Sequence, residues 1–146
     1  MKKILKFKSI LLFFLVGASV LFMSCSEDDE PNIEVGKKTL ITKTELEKIT
    51  SFQCDDQGNQ IFLKFRNGHI YTKEITKYGY TCNVDDIIYT LVGNRITMEM
   101  DWQKTTGTIY KVKGNDGLIT IEMQFDGTYG IATWLSKTFK QSSYVF

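Results

Sequence analysis

From residue 60 onward, apolar and polar side chains alternate with a period of two, and glycine-bearing turns break the pattern at short intervals. Ile61, Leu63 and Phe65 oppose Phe62, Lys64 and Arg66; Asn67-Gly68 interrupts, and His69-Ile70-Tyr71-Thr72 resumes an extended pattern. Asn-Gly between two such runs predicts a tight hairpin whose positive φ angles match strand twist. Tyr78, Tyr80, Cys82 and Val84 are expected to share one face, and the β-branched run Ile87 to Val92 ends at Gly93-Asn94. The clearest alternation follows, with Ile96, Met98, Met100 and Trp102 against Thr97, Glu99 and Asp101. Thr108 to Lys113 reads as another strand. Ile119, Ile121, Met123 and Phe125 then oppose Thr120, Glu122 and Gln124, and Thr128 to Lys140 reads as the last strand. Turns near residues 67, 93, 115 and 126 leave no room for crossover helices, so neighbouring strands must run antiparallel. Seven or eight strands with one-sided apolar faces must close or curl over to bury them. The expected fold is all-β: a small antiparallel up-and-down barrel or a strongly curled sheet.

Upstream the pattern is less regular. Thr44 with Glu47 three residues later fits a capping box that would open a short helix, whereas Ile49, Thr50 and Phe52 suit a strand equally well. Ile96, Met98, Met100, Ile119, Ile121 and Met123 are expected to face the interior, because only that register buries both sets together.

Composition changes the picture at the N-terminus. Lys2, Lys3, Lys6 and Lys8 precede a largely apolar run from Ile10 to Met23, and no acid occurs before Glu27. The run is shorter than the roughly 20 apolar residues a spanning helix needs, so residues 1–24 read as a secretory signal peptide. Taking those four lysines from the 18 basic side chains leaves 14 against 17 acidic ones, a net −3 for the remainder. That balance argues against nucleic acid as a partner. The length, 146 residues, suits one domain.

The junction Phe22-Met23-Ser24-Cys25 resembles the lipobox of bacterial lipoproteins, with Phe22 and Met23 standing where that family has leucine and a small residue. The resemblance implies that Cys25 carries the lipid and begins the mature chain. Ser26-Glu27-Asp28-Asp29-Glu30 is similar to the acidic signal of surface-exposed Bacteroidota lipoproteins; a plain solvated spacer is the alternative. Residues 25–34 then form an acidic tether and residues 35–146 the β domain, anchored to the outer membrane through its lipid and exposed at the cell surface. With Cys25 lipidated, Cys54 and Cys82 remain, either as one disulfide or as two free buried thiols.

Tyr89 to Met98, Gly107 to Val112 and Leu118 to Ile121 are similar to the lipocalin-like domains of Bacteroidota lipoproteins. The early Gly-x-Trp of that family is absent, since Val35-Gly36-Lys37-Lys38 carries no tryptophan. The resemblance implies a small antiparallel barrel that binds something.

Candidate chemistry is sparse. The single histidine, His69, follows a hairpin turn and has no nucleophile elbow near it in sequence. His69, Cys54 and Cys82 lack metal-ligand spacing, and Asp55-Asp56-Gln57-Gly58-Asn59 reads as a tight turn rather than a calcium loop. Asp85 and Asp86, adjacent on a strand, are expected on opposite faces, which cannot flank one glycosidic bond. Gly127 to Gly130 is expected to run on into a strand and not to open a phosphate-binding helix. No catalytic residue, metal site or cofactor is assigned. Tyr78, Tyr80, Trp102, Tyr129 and Trp134 are candidate ligand-contacting aromatics. The chain therefore reads as a non-enzymatic domain for a small apolar or glycan ligand, with a structural or inhibitory lipoprotein that grips a protein partner as the alternative.

Overall fold

A computed structural model describes residues 34–101 and 103–146, apart from the side chains of Asp85 and Asp86. Residues 1–33, which hold the expected signal peptide, Cys25 and most of the expected tether, and Trp102 lie outside the described residues. Among the described residues nine strands run in chain order: β1 (Lys38–Thr39), β2 (Ser51–Asp56), β3 (Asn59–Arg66), β4 (His69–Ile75), β5 (Thr81–Val92), β6 (Arg95–Met100), β7 (Gln103–Lys113), β8 (Ile119–Phe125) and β9 (Thr138–Ser142). Helix α1 (Lys43–Lys48) precedes β2, and α2 (Ile131–Leu135) precedes β9.

From β2 to β9 each strand pairs antiparallel with the next, and β9 returns to β2 by pairing Ser142 with Ser51 and Gln141 with Phe52. Eight strands therefore close into an up-and-down barrel, and β1 adds to the last residues of β7, with Lys38 opposite Val112. The turns are as the sequence dictates. Gln57-Gly58 and Asn67-Gly68 hold positive φ at both residues, 52° and 87° in the first and 53° and 80° in the second.

Eight strands enclose a lumen just wide enough for side chains to fill. Phe52, Phe65, Tyr89, Phe139, Leu63, Ile96 and Met98 are fully buried there. Phe65 meets Phe52 and Tyr89 edge to face, with ring centroids 5.9 and 5.2 Å apart. The inward register holds: Ile96, Met98, Ile121 and Met123 are buried, and Met100 and Ile119 pack half-buried against the core. Gly107 lies under Phe125, where an added β-carbon would stand 2.3 Å from the Gln124 carbonyl oxygen and 2.7 Å from Phe125. Only glycine lets β7 and β8 approach this closely.

Four expectations are corrected. The helix cap is Thr42, two residues before the Thr44–Glu47 box: the Glu45 N–H donates to the Thr42 hydroxyl at 3.2 Å, and the Thr42 N–H donates to the Glu45 carboxylate at 2.7 Å. That frame drives Leu46 into the barrel end, with no exposed surface. Residues 128–140 are not one strand. Gly130, at φ 60° and ψ −132°, turns the chain into α2, because Ile131, Ala132 and Leu135 present one apolar stripe to bury. Gly127 to Gly130 therefore leads into a helix, not a strand.

Tyr78 and Tyr80 sit in the exposed β4–β5 loop and not on a strand face with Cys82 and Val84. The side chains of Asp85 and Asp86 lie outside those described, but the backbone pairing of β5 is irregular here. Ile70 pairs Ile87 while Thr72 pairs Val84, so β5 carries one extra residue between these pairs, a β-bulge. The bulge shifts the parity, which is how Val84 and Ile87 both pack against the core.

Candidate functional site: the α2 end of the barrel

The two ends of the barrel are closed differently. At the α1 end, Leu46 with Ile41 and Ile49 plugs the lumen. Glu47 locks the plug by accepting the Gly68 N–H and the Tyr89 hydroxyl, both at 2.9 Å. The Gly68 N–H foremost, together with the Tyr89 hydroxyl and nearby Lys43, holds the Glu47 carboxyl below its ordinary range despite partial burial. Burial and this same carboxylate push the Tyr89 phenol far up. Glu45 pairs with the buried Lys111; desolvation opposes its ionisation, and the Lys111 ammonium and Thr42 donors more than offset it.

The α2 end is less complete. β6 pairs β5 only at Ile88–Val92, so Thr81–Val84 of β5 continues past the β6–β7 turn with β4 as its partner. α2 lies across this end, and between it and the projecting wall runs a cleft of about 320 Å³. Its floor and sides are Val84, Met100, Gly130, Ile131 and Trp134, with Cys82 and Glu74 as its polar groups. The Glu74 carboxylate is held by the Asn59 side-chain N–H at 2.8 Å, and the Asn59 amide oxygen accepts the Lys77 N–H at 3.0 Å. One asparagine thus fixes the carboxylate and the β4–β5 loop together. Among the described residues, no lysine or arginine pairs with Glu74.

The candidate aromatics converge on this end. Tyr78 and Tyr80 on the β4–β5 loop are 75% and 73% exposed, Tyr129 on the β8–α2 loop is 82% exposed, and Trp134 lines the cleft half-buried. Trp102 lies outside the described residues. No protein-family model, curated protein or solved structure matches this chain.

The cysteines do not form the pair left open by their spacing. Both are free, Cys54 buried on β2 and Cys82 exposed on β5. Cys54 opposes Ile61, Ile61 opposes Glu74 and Glu74 opposes Cys82, so two strands lie between them. Strands about 4.8 Å apart put the α-carbons well beyond the roughly 7 Å a bridge allows. Burial pushes the Cys54 thiol up, with nearby Lys137 opposing and Asp56 and Asp55 adding to the rise.

His69 stands beside the β3–β4 turn at the α1 end, away from the cleft. Sequence reasoning missed Glu74, Met100 and Ile131. The signal for Ile131 was present, since apolar residues at 131, 132 and 135 have helical spacing after a glycine. Glu74 could be found only from the register that sets it beside Cys82.

Proposed function

We propose that this protein is a lipid-anchored cell-envelope domain that binds a small apolar or glycan ligand without transforming it, and that the ligand sits in the α2-end cleft, not in the barrel lumen. The lumen is filled by aromatic side chains, which leaves no room for a central ligand. The carrying observation is the cleft itself: about 320 Å³, apolar on most sides, with Trp134 in its wall and the oriented Glu74 carboxylate as an acceptor. That volume is at the lower end of small-molecule sites, and few polar groups in an apolar slot is their usual composition. The indole offers a stacking face to a sugar ring or hydrocarbon, and Glu74 accepts from a ligand hydroxyl. The sequence at Ser24-Cys25 supports the anchor, with localisation at the outer membrane.

Native mass spectrometry of the protein purified from its membrane tests this reading. A small-molecule adduct present on the native chain and absent from Trp134→Ala is expected; a ligand-free spectrum from both refutes it. The exposed Tyr78, Tyr80 and Tyr129 favour the second reading, a protein partner gripping this end. A protein complex lost on substituting these tyrosines, with no small adduct, would select it.

A further inference from the structure

Two kinds of exposed side chain gather at the α1 end. Val35, Leu40, Val92 and Leu118 are 54%, 57%, 78% and 37% exposed. They stand on the approach to β1, after β1, at the β5–β6 turn and at the β7–β8 turn, all belonging to this end. Lys48 closes α1, Arg66 flanks the β3–β4 turn and Lys113 tips β7; all three are exposed and unpaired among the described residues. The acids here are engaged: Glu34 with Lys37, Glu45 with Lys111, Glu47 with Lys43, and Asp116 with Lys140. The opposite end carries the reverse balance: among the described residues Asp55, Glu74 and Asp101 make no ion pair, and Lys77 is the cation of its loop.

The preceding chain joins the barrel at this same end. The Gly36 N–H donates to the Lys113 carbonyl at 3.1 Å, which sets Glu34 beside the tip of β7. The stretch from Cys25 to Glu34 reaches about 30 Å at most when extended. Single exposed apolar residues need no explanation, but several of them ringed by unpaired cations at the tethered end form the pattern of a membrane-surface contact.

We propose that the α1 end docks on an anionic bilayer surface, with Val92 and Leu118 among the headgroups and Lys48, Arg66 and Lys113 against lipid phosphates. The cleft at the α2 end then opens away from the membrane. The proposal rests on the lipid-anchored reading given above, and it adds what the anchor alone does not supply. A tether of about 30 Å is several Debye lengths at physiological salt, so orientation requires contact of the folded domain itself.

Hydrogen exchange on the full lipid-anchored chain, reconstituted in phosphatidylcholine vesicles with or without phosphatidylglycerol, tests this. Amides of the Gly93-Asn94 and Asn115-Asp116 turns should exchange about tenfold more slowly on the anionic vesicles, with the Lys77–Tyr80 loop unchanged. The slowing should vanish at about 0.5 M salt and in the triple variant Lys48→Glu, Arg66→Glu, Lys113→Glu, whose side chains are all exposed. Equal exchange on both vesicles, with the chain still floating alongside them, overturns the docking and leaves the anchor standing. A chain that does not float with neutral vesicles overturns the anchor. Protection of the same turns in detergent would assign the basic face to the acidic run Glu27–Glu30 and overturn the membrane contact.

Discussion

Replacing Ile121 by alanine should cost about 2 to 4 kcal/mol of stability, while the same replacement at Thr120 costs well under about 1 kcal/mol. Ile121 has no exposed surface and is flanked in the sheet by Lys111 on β7 and Phe139 on β9, itself fully buried. The substitution removes three buried carbons, worth about 2.4 kcal/mol at roughly 0.8 kcal/mol each. The closed wall of the barrel restricts collapse around the site, so a residual cavity carries the loss toward the upper figure. Thr120 is the adjacent residue on the outer face, half-buried, opposite Val112 and Lys140. Urea melts of the two variants beside the native protein give the comparison, with equal m-values as the sign that both start from the same fold. Because the variants share a strand and differ only in the side they face, equal losses, or a larger loss at Thr120, would refute the inward register and the closed barrel with it.

Gly107→Ala should destabilise strongly, because its β-carbon would meet the Gln124 carbonyl as well as Phe125, and Phe125→Ala in the same chain should restore little in denaturant melts. Glu47 predicts a pH dependence. Its folded carboxyl titrates below the unfolded one, so its contribution is complete above the ordinary carboxylate range and is lost as pH falls through the lowered folded value. In Glu47→Gln, acid melts should show a shallower fall over that interval, and an unchanged slope would remove Glu47 from the account. Thiol labelling of the folded chain should find Cys82 reacting quickly and Cys54 slowly, since Cys54 is buried with a raised pKa; urea should equalise them. Cys25→Ala should abolish incorporation of labelled palmitate, and retained label would refute the lipobox reading.

Alternation made the barrel legible, because a period of two ties each apolar residue to one face. Ile96 and Met98, or Ile121 and Met123, have no other register that buries them. Short glycine turns then forced antiparallel neighbours. Local signals failed where tertiary contact decided between close alternatives. Thr42 and Thr44 both precede a glutamate by three residues, and the burial of Leu46 selected Thr42. Ile131 to Leu135 reads as extended within the apolar run that follows, until Gly130 turns the chain and the helix covers an open barrel end. The bulge in β5 left no mark in composition, yet it decides which residues share a face with Val84. The aromatics Tyr78, Tyr80, Tyr129 and Trp134 were grouped from residue type alone, and of these only Trp134 lines the cleft. Their common end follows from the meander, since alternate turns of an up-and-down barrel emerge together. Glu74 stayed hidden because its partner, Asn59, is fifteen positions away.

The central claim, that the α2-end cleft and not the lumen takes the ligand, is tested most directly by titration with the neutral fluorescent probe N-phenyl-1-naphthylamine. The account predicts saturable binding at one site, weakened about tenfold or more by Trp134→Ala, a loss of roughly 1.4 kcal/mol. Binding should be unchanged by Ile88→Asp on the exposed outer wall of β5. Absence of saturable binding, or binding that Trp134→Ala leaves untouched, would contradict it.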